Sequence, residues 1–181
     1  VSSAEAWETV VSDVISRHGR IDVLVNNAGI LRGARLVNTS DDIWDQTVAI
    51  NQTGVFYVMR AVAPQMIEQD SGSIVNISSV AGLEATFASM AYGATKWAVR
   101  GMSKIAALEL GRHNVRVNSI HPGLINTDMT SEFDKDRMVR AIPLGREADA
   151  SEVAAVALFL ASDDSSYCSG QEFTVDGGMH R

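Results

Sequence analysis

Residues 21–25, 73–77, 115–120 and 172–175 form four short runs, each read as nearly all apolar. A strand with one wet face alternates polar and apolar side chains. A run that does not alternate is buried on both faces, as in a parallel sheet. Longer stretches of helical pattern separate the runs: a first helix capped by Ser2 or Ser3 and reaching about Arg17, then 41–68, 89–111 and 150–161. Strand and helix in alternation predict an α/β fold, a parallel sheet covered by helices and joined by right-handed crossovers. The 181 residues suffice for a single domain, 1–181, with its own core.

Punctuation refines this outline. Gly54 lies inside the 41–68 stretch, and Pro64 is expected to kink that helix or restart it. Gly111 reads as the stop of the 89–111 helix. Residues 127–140 read as a mobile helical flap. The composition, 46% hydrophobic and 20% charged, excludes disorder, and a net charge of −7 offers no basic footprint for nucleic acid or anionic lipid. No uncharged apolar run approaches the length of a membrane span, so no membrane partner is expected. The one cysteine, Cys168, has no partner for an internal disulfide. His18, His113, His121 and His180 lack ligand spacing, so no metal site is expected, and His121 is read as packing beside Pro122.

Several residues carry chemistry. Tyr92 and Lys96, four apart, share one helix face. A tyrosine is a poor base at neutral pH, but a cation about 5 Å away contributes roughly 3 kcal/mol toward its ionised form. By itself this spacing, which recurs by chance, fits a bland surface pair better. Ser79 ends the second strand, and ligands of open α/β sheets bind beyond strand ends, where Ser79 and Tyr92 can meet. Asn26-Asn27-Ala28-Gly29 ends the first strand with small residues and two amides, fit for a close backbone approach or for a plain turn. Asn51, a poor helix former, precedes Gly54 by three residues, a pattern that can open a local kink and hold a water. Pro122-Gly123 closes the third strand and leads into Leu124-Ile125-Asn126-Thr127, where Thr127 can reach a carboxamide.

Together these residues resemble one family, the short-chain dehydrogenases/reductases. Asn26-Asn27-Ala28-Gly29, Asn51, Ile77-Ser78-Ser79, Tyr92-x-x-x-Lys96, Asn118-x-x-x-Pro122-Gly123 and Val175-Asp176-Gly177-Gly178 occur in family order across nearly the whole chain. The resemblance implies a Rossmann-like doubly wound parallel sheet, incomplete here, with the last four strands and their helices. It implies an oxidoreductase using NAD or NADP, with NAD favoured on resemblance alone. Tyr92 would be the general acid/base, Lys96 its electrostatic partner and a ribose ligand, and Ser79 the group that polarises the substrate carbonyl. Asn51 would anchor a water in a relay to Lys96. Asn27, Ala28 and Gly29 would line the cofactor, and Pro122, Gly123, Ile125 and Thr127 would hold its nicotinamide end. The family's Thr-Gly-x-x-x-Gly-x-Gly turn does not occur in the 181 residues. The chain is therefore expected to be the C-terminal three-quarters of a catalytic domain, without the N-terminal cofactor-binding segment and inactive alone. A cytoplasmic homotetramer is implied for the whole protein. It would be built on helices 41–68 and 89–111, with Phe56, Met59, Trp97 and Met102 as surplus apolar residues.

The loop 83–90 holds Phe87, Met90 and one acid, Glu84, and the segment 124–133 adds Ile125, Met129 and Phe133; neither contains Lys or Arg. A carrier-bound or phosphorylated substrate would want cations nearby. A small lipophilic ketone is therefore expected, and residues 73–110 are similar to the bacterial 3α(or 20β)-hydroxysteroid dehydrogenases. The alternatives are a 3-oxoacyl-carrier-protein reductase and an inactive fragment that only oligomerises.

Overall fold

The computed structural model describes residues 1–180. Helix α1, Ala4–His18, is capped by the Ser3 hydroxyl, which accepts from the Ala6 N–H, and it ends on left-handed Gly19. Strand β1, Val23–Asn26, follows. Next come α2, Asp41–Val48, and α3, Gly54–Gln69, joined by one π-helical turn, Ala49–Thr53. Then come β2, Gly72–Ile77, and α4, Met90–Leu110, followed by β3, Val115–Pro122, and β4, Ile125–Asn126. The chain closes with α5, Lys135–Val139, β5, Ala148–Asp149, α6, Ala150–Ala161, and β6, Glu172–Val175. The main sheet is four-stranded and parallel, in the order β1-β2-β3-β6; β4 and β5 pair separately.

Successive strand residues point to opposite faces, and two cores result. On one face Ile74, Val115 and Val117 pack with Val11 of α1, Val55, Val58, Val62 and Met66 of α3, and Val99 of α4. On the other, Val75 and Ile120 pack beneath Leu160 of α6. Val23 and Val25 are in register with Ser73 and Val75, which places them on the α6 face, where they are 38% and 45% exposed. Among the described residues no helix is long and apolar enough to cross a membrane.

The strands are less apolar than expected. Ser73, Asn76, Asn118 and Ser119 are buried in them, each with partners. Asn76 accepts from Asn26 Nδ2 at 2.7 Å and donates to Ser103 Oγ at 2.9 Å, tying β1 and β2 to α4. Asn118 donates to the Cys168 carbonyl at 2.8 Å and accepts from the Gln171 N–H at 3.0 Å. Each amide is satisfied, so its burial costs little.

Three boundaries differ from expectation. Helix α3 runs through Pro64 without restarting, because Pro64 and Arg60, whose carbonyl loses its partner, lie on the exposed side. The break comes earlier, at the π turn that contains Asn51. Gly111 keeps right-handed helical geometry and opens a 3-10 turn; the left-handed stop is Asn114. Its side chain donates to Asp70 Oδ2 at 2.8 Å, and Asp70 is the left-handed cap of α3. The 127–140 segment is not one helix but a 3-10 turn, Asp128–Thr130, then the short α5, with Lys135 Nζ 3.0 Å from Asn126 Oδ1 and 2.9 Å from Glu147.

Candidate active site

Strands β1, β2 and β3 run in one direction, so their C-terminal ends present Asn26-Asn27, Ser78-Ser79 and His121-Pro122 along one edge of the sheet. Helix α4 starts beside that edge and carries Tyr92 and Lys96 on its buried face, 8% and 5% exposed. Lys96 Nζ donates to the Ile77 carbonyl at 2.8 Å and lies 5.5 Å from the centre of the Tyr92 ring. Ser78 Oγ donates to the Lys96 carbonyl at 2.9 Å, which locks the end of β2 to α4. Ser79 is 8% exposed, and its hydroxyl accepts from the Ala81 N–H at 3.1 Å.

Asn51 is 1% exposed, so the π turn points its amide inward. Its Oδ1 accepts from the Ile30 N–H and its Nδ2 donates to the Ile30 carbonyl, both at 2.8 Å. That pair holds the loop after β1 against the site. A Cβ added at Gly29 would stand 3.4 Å from Asn51 Oδ1 and 3.7 Å from Lys96 Nζ. Ser79, Tyr92, Lys96, Asn51 and Gly29 therefore share one neighbourhood. Asn27 and Ala28 are exposed at the strand end, free to meet a ligand.

The remaining expected residues are placed less directly. Pro122 is the last residue of β3 and pairs with Val175. Gly123 passes so close to the turn after β6 that a Cβ would lie 2.7 Å from Asp176 Cβ. Ile125 is buried and paired in β4. Thr127 is exposed, and its backbone is tied to the Thr130 hydroxyl, the N–H donating to it at 3.4 Å and the carbonyl accepting from it at 3.1 Å.

Burial decides the electrostatics. It pushes the Tyr92 phenol above the usual tyrosine range, and the hydrogen bond from Ser79 pulls the other way. The Lys96 ammonium keeps its charge in the hydrogen bond to the neutral Ile77 carbonyl, 5.5 Å from the Tyr92 ring centre. Desolvation pulls Lys96 itself down to about 8. Chemically, the site offers a phenol donor and a hydroxyl side by side, over a buried cation.

Sequence reasoning missed two features. Arg35 lies over the Phe87 ring, 5.0 Å from its centre, so a cation does reach the 83–90 loop, from the loop after β1. His121 does not merely pack beside Pro122. It is wholly buried, with Nδ1 3.0 Å from the Ser79 carbonyl. The apolar residues Leu36, Phe87, Met90 and Met129 are all exposed nonetheless. A cleft of about 280 Å³ is lined by Leu36, Glu84, Met90 and Trp97 among others.

Comparison with known proteins bears on this arrangement. The family model described as enoyl-(acyl carrier protein) reductase matches residues 1–180. The chain is 46% identical over 182 residues to the 3-oxoacyl-(acyl-carrier-protein) reductase FabG of Thermotoga maritima, covering 99% of this chain and 74% of that protein. It is 47% identical over 178 residues to the 3-alpha-(or 20-beta)-hydroxysteroid dehydrogenase of Mycobacterium bovis, covering 98% of this chain and 68% of that protein. Among solved structures, gluconate 5-dehydrogenase of Burkholderia cenocepacia, in complex with NADP and tartrate, superposes with a TM-score of 0.95 at 34% identity. That match covers 98% of this chain and 72% of the other.

Proposed function

The chain belongs to the short-chain dehydrogenases/reductases, and from that membership we propose an oxidoreductase that moves a hydride between NAD(P) and a lipophilic secondary alcohol or its ketone. One observation carries the reading: Ser79, Tyr92 and Lys96 are buried together at the C-terminal edge of a parallel sheet, where such folds bind their ligands. Bound NAD(P) supplies or accepts the hydride. Asn27, Ala28, Gly29, Pro122, Gly123, Ile125 and Thr127 hold the nicotinamide half, and Gly29 leaves room for a close approach. The chain's own residues manage the proton and the carbonyl. Ser79 donates to the carbonyl oxygen, and Tyr92 delivers a proton to it in reduction or takes one in oxidation. Lys96 keeps positive charge beneath Tyr92 as the phenolate forms. Asn51 fixes the loop after β1 and anchors a water in the path that returns the proton through Lys96.

The exposed apolar side chains of Leu36 and Met90, which line the cleft, with those of Phe87 and Met129, favour a lipophilic substrate such as a hydroxysteroid. A second reading, reduction of a 3-oxoacyl chain on a carrier, is favoured by Arg35 over Phe87, which puts a guanidinium where an anionic tether could be met. The whole protein is read as a cytoplasmic homotetramer. Turnover of a saturated ketosteroid, of cyclohexanone and of acetoacetyl-coenzyme A by the complete natural protein, with NADH and with NADPH, tests these readings. Preference for the steroid supports the first. Preference for the thioester, lost in Arg35→Ala, supports the second. No oxidation of either cofactor with any of the three would overturn both.

A further inference from the structure

We propose that His121 is a positioning residue for Ser79, holding the serine's peptide from the neighbouring strand so that its hydroxyl meets the substrate carbonyl. The inference rests on the role given to Ser79 above. The Ser79 carbonyl accepts two hydrogen bonds. One comes from the Gly82 N–H at 2.9 Å, within the 3-10 turn that follows. The other comes from His121 Nδ1 at 3.0 Å, across from β3. A carbonyl can only accept, so Nδ1 carries the proton. The other ring nitrogen lies 2.9 Å from Ser119 Oγ, two residues back on the same strand face. With His121 neutral, Nε2 is the acceptor and the Ser119 hydroxyl donates. Both Ser119 and His121 are buried, at 1% and 0% exposed. The imidazole is therefore fixed at both ends, and its tautomer is dictated by its partners.

The geometry explains what the ring adds beyond packing. Beyond β2 the chain leaves the sheet, and at Ser79 it is extended, φ −174° and ψ 161°. Its ladder ends one residue earlier, with the Ser78 N–H on the Ile120 carbonyl at 2.7 Å. The His121 bond extends that inter-strand tether by one residue, to the peptide whose Cα carries the hydroxyl. A group that polarises a carbonyl has to be held within about 0.5 Å of its place. His121 touches the site only through this carbonyl, since its other ring nitrogen faces Ser119.

The test is a double-mutant cycle in the complete natural protein, reading turnover of a saturated ketosteroid with NADH, cofactor affinity and melting temperature. His121→Leu keeps volume and removes the donor; His121→Asn keeps a donor toward Ser79. With Ser79 intact, His121→Leu is expected to lower kcat about tenfold, with cofactor affinity unchanged, and His121→Asn to recover most of the loss. In a Ser79→Ala background His121→Leu should cost nothing further, since its effect passes through Ser79. A histidine that only fills the core would give the same fold loss in both backgrounds, and that result overturns the inference alone. Unchanged turnover in Ser79→Ala itself would overturn the reading of the site, and the inference with it. Nitrogen NMR of His121 in the parent protein gives a readout independent of turnover. The Nδ1–H tautomer is expected, and the Nε2–H tautomer contradicts the proposal even where His121→Leu does not fold.

Discussion

At the scale of single residues, the Lys96 ammonium is 5% exposed and has one hydrogen bond in the fold, to the Ile77 carbonyl at 2.8 Å. Unfolding returns it to water and to its ordinary pKa of 10.5, against about 8 in the folded protein. Below pH 8 Lys96 is charged in both states, and the fold bears a cost of roughly 3 kcal/mol. Between 8 and 10.5 the unfolded chain binds more protons than the folded one, so the cost fades as pH rises through that window. Lys96→Met is therefore expected to melt higher than the parent near pH 7 while losing turnover, with the gap closing toward pH 10.5. Melting curves that keep a constant separation from pH 6 to 10.5 would contradict the depressed pKa. Tyr92, Lys96 and Ser79 were legible because their spacing and order carry the chemistry within one helix and one strand end. The His121–Ser79 contact spans 42 residues of sequence, and Arg35 reaches Phe87 from another loop. No local pattern encodes either pairing.

At the scale of elements, turn geometry decides most of what the hydrophobic pattern left open. Helix α6 and strand β6 lie where their periodicity put them, 150–161 and 172–175. Strand β1 ends one residue later than expected, at Asn26, because Asn26 is buried in a hydrogen bond to Asn76 and completes the parallel register. The π turn arises where Asn51 turns inward to hold Ile30, a tertiary demand that overrides helical regularity. Strands β4 and β5 have two residues each and no period to read. They nevertheless set the loop beyond Gly123, whose missing Cβ admits the Asp176 turn. Gly123→Ala would place a methyl 2.7 Å from Asp176 Cβ and 2.9 Å from its Cα. It should lower stability by about 1–3 kcal/mol and weaken nicotinamide binding more than Ser79→Ala does. Calorimetric titration and melting of both variants check this; an unperturbed Gly123→Ala would show that the turn yields.

At the scale of the whole molecule, the sheet brings its strand ends to one edge, and the helices leave an unpartnered apolar surface behind. Of the four residues expected on that surface, Met59 belongs to the core and Met102 is half-buried against it. Phe56 and Trp97 are 44% and 46% exposed, joined on α4 by Ile105 at 57% and Leu108 at 85%. A second copy covering this α3–α4 face is the physical basis of the proposed tetramer. Leu108→Lys with Ile105→Lys should lower the mass seen by light scattering, and an unchanged mass would place the contact elsewhere. The fold class was legible at this scale because alternating helices and β-rich runs leave few topologies. The surface was less so, since core and interface residues share one composition and only the packed sheet separates them. The central claim is that Tyr92 moves the proton in a ketone reduction. It is tested most directly by Tyr92→Phe in the complete natural protein, with ketone-dependent NAD(P)H oxidation and cofactor binding measured side by side. Oxidation should fall by roughly 10²–10⁴-fold while cofactor affinity stays unchanged; near-parental oxidation by Tyr92→Phe would contradict the account.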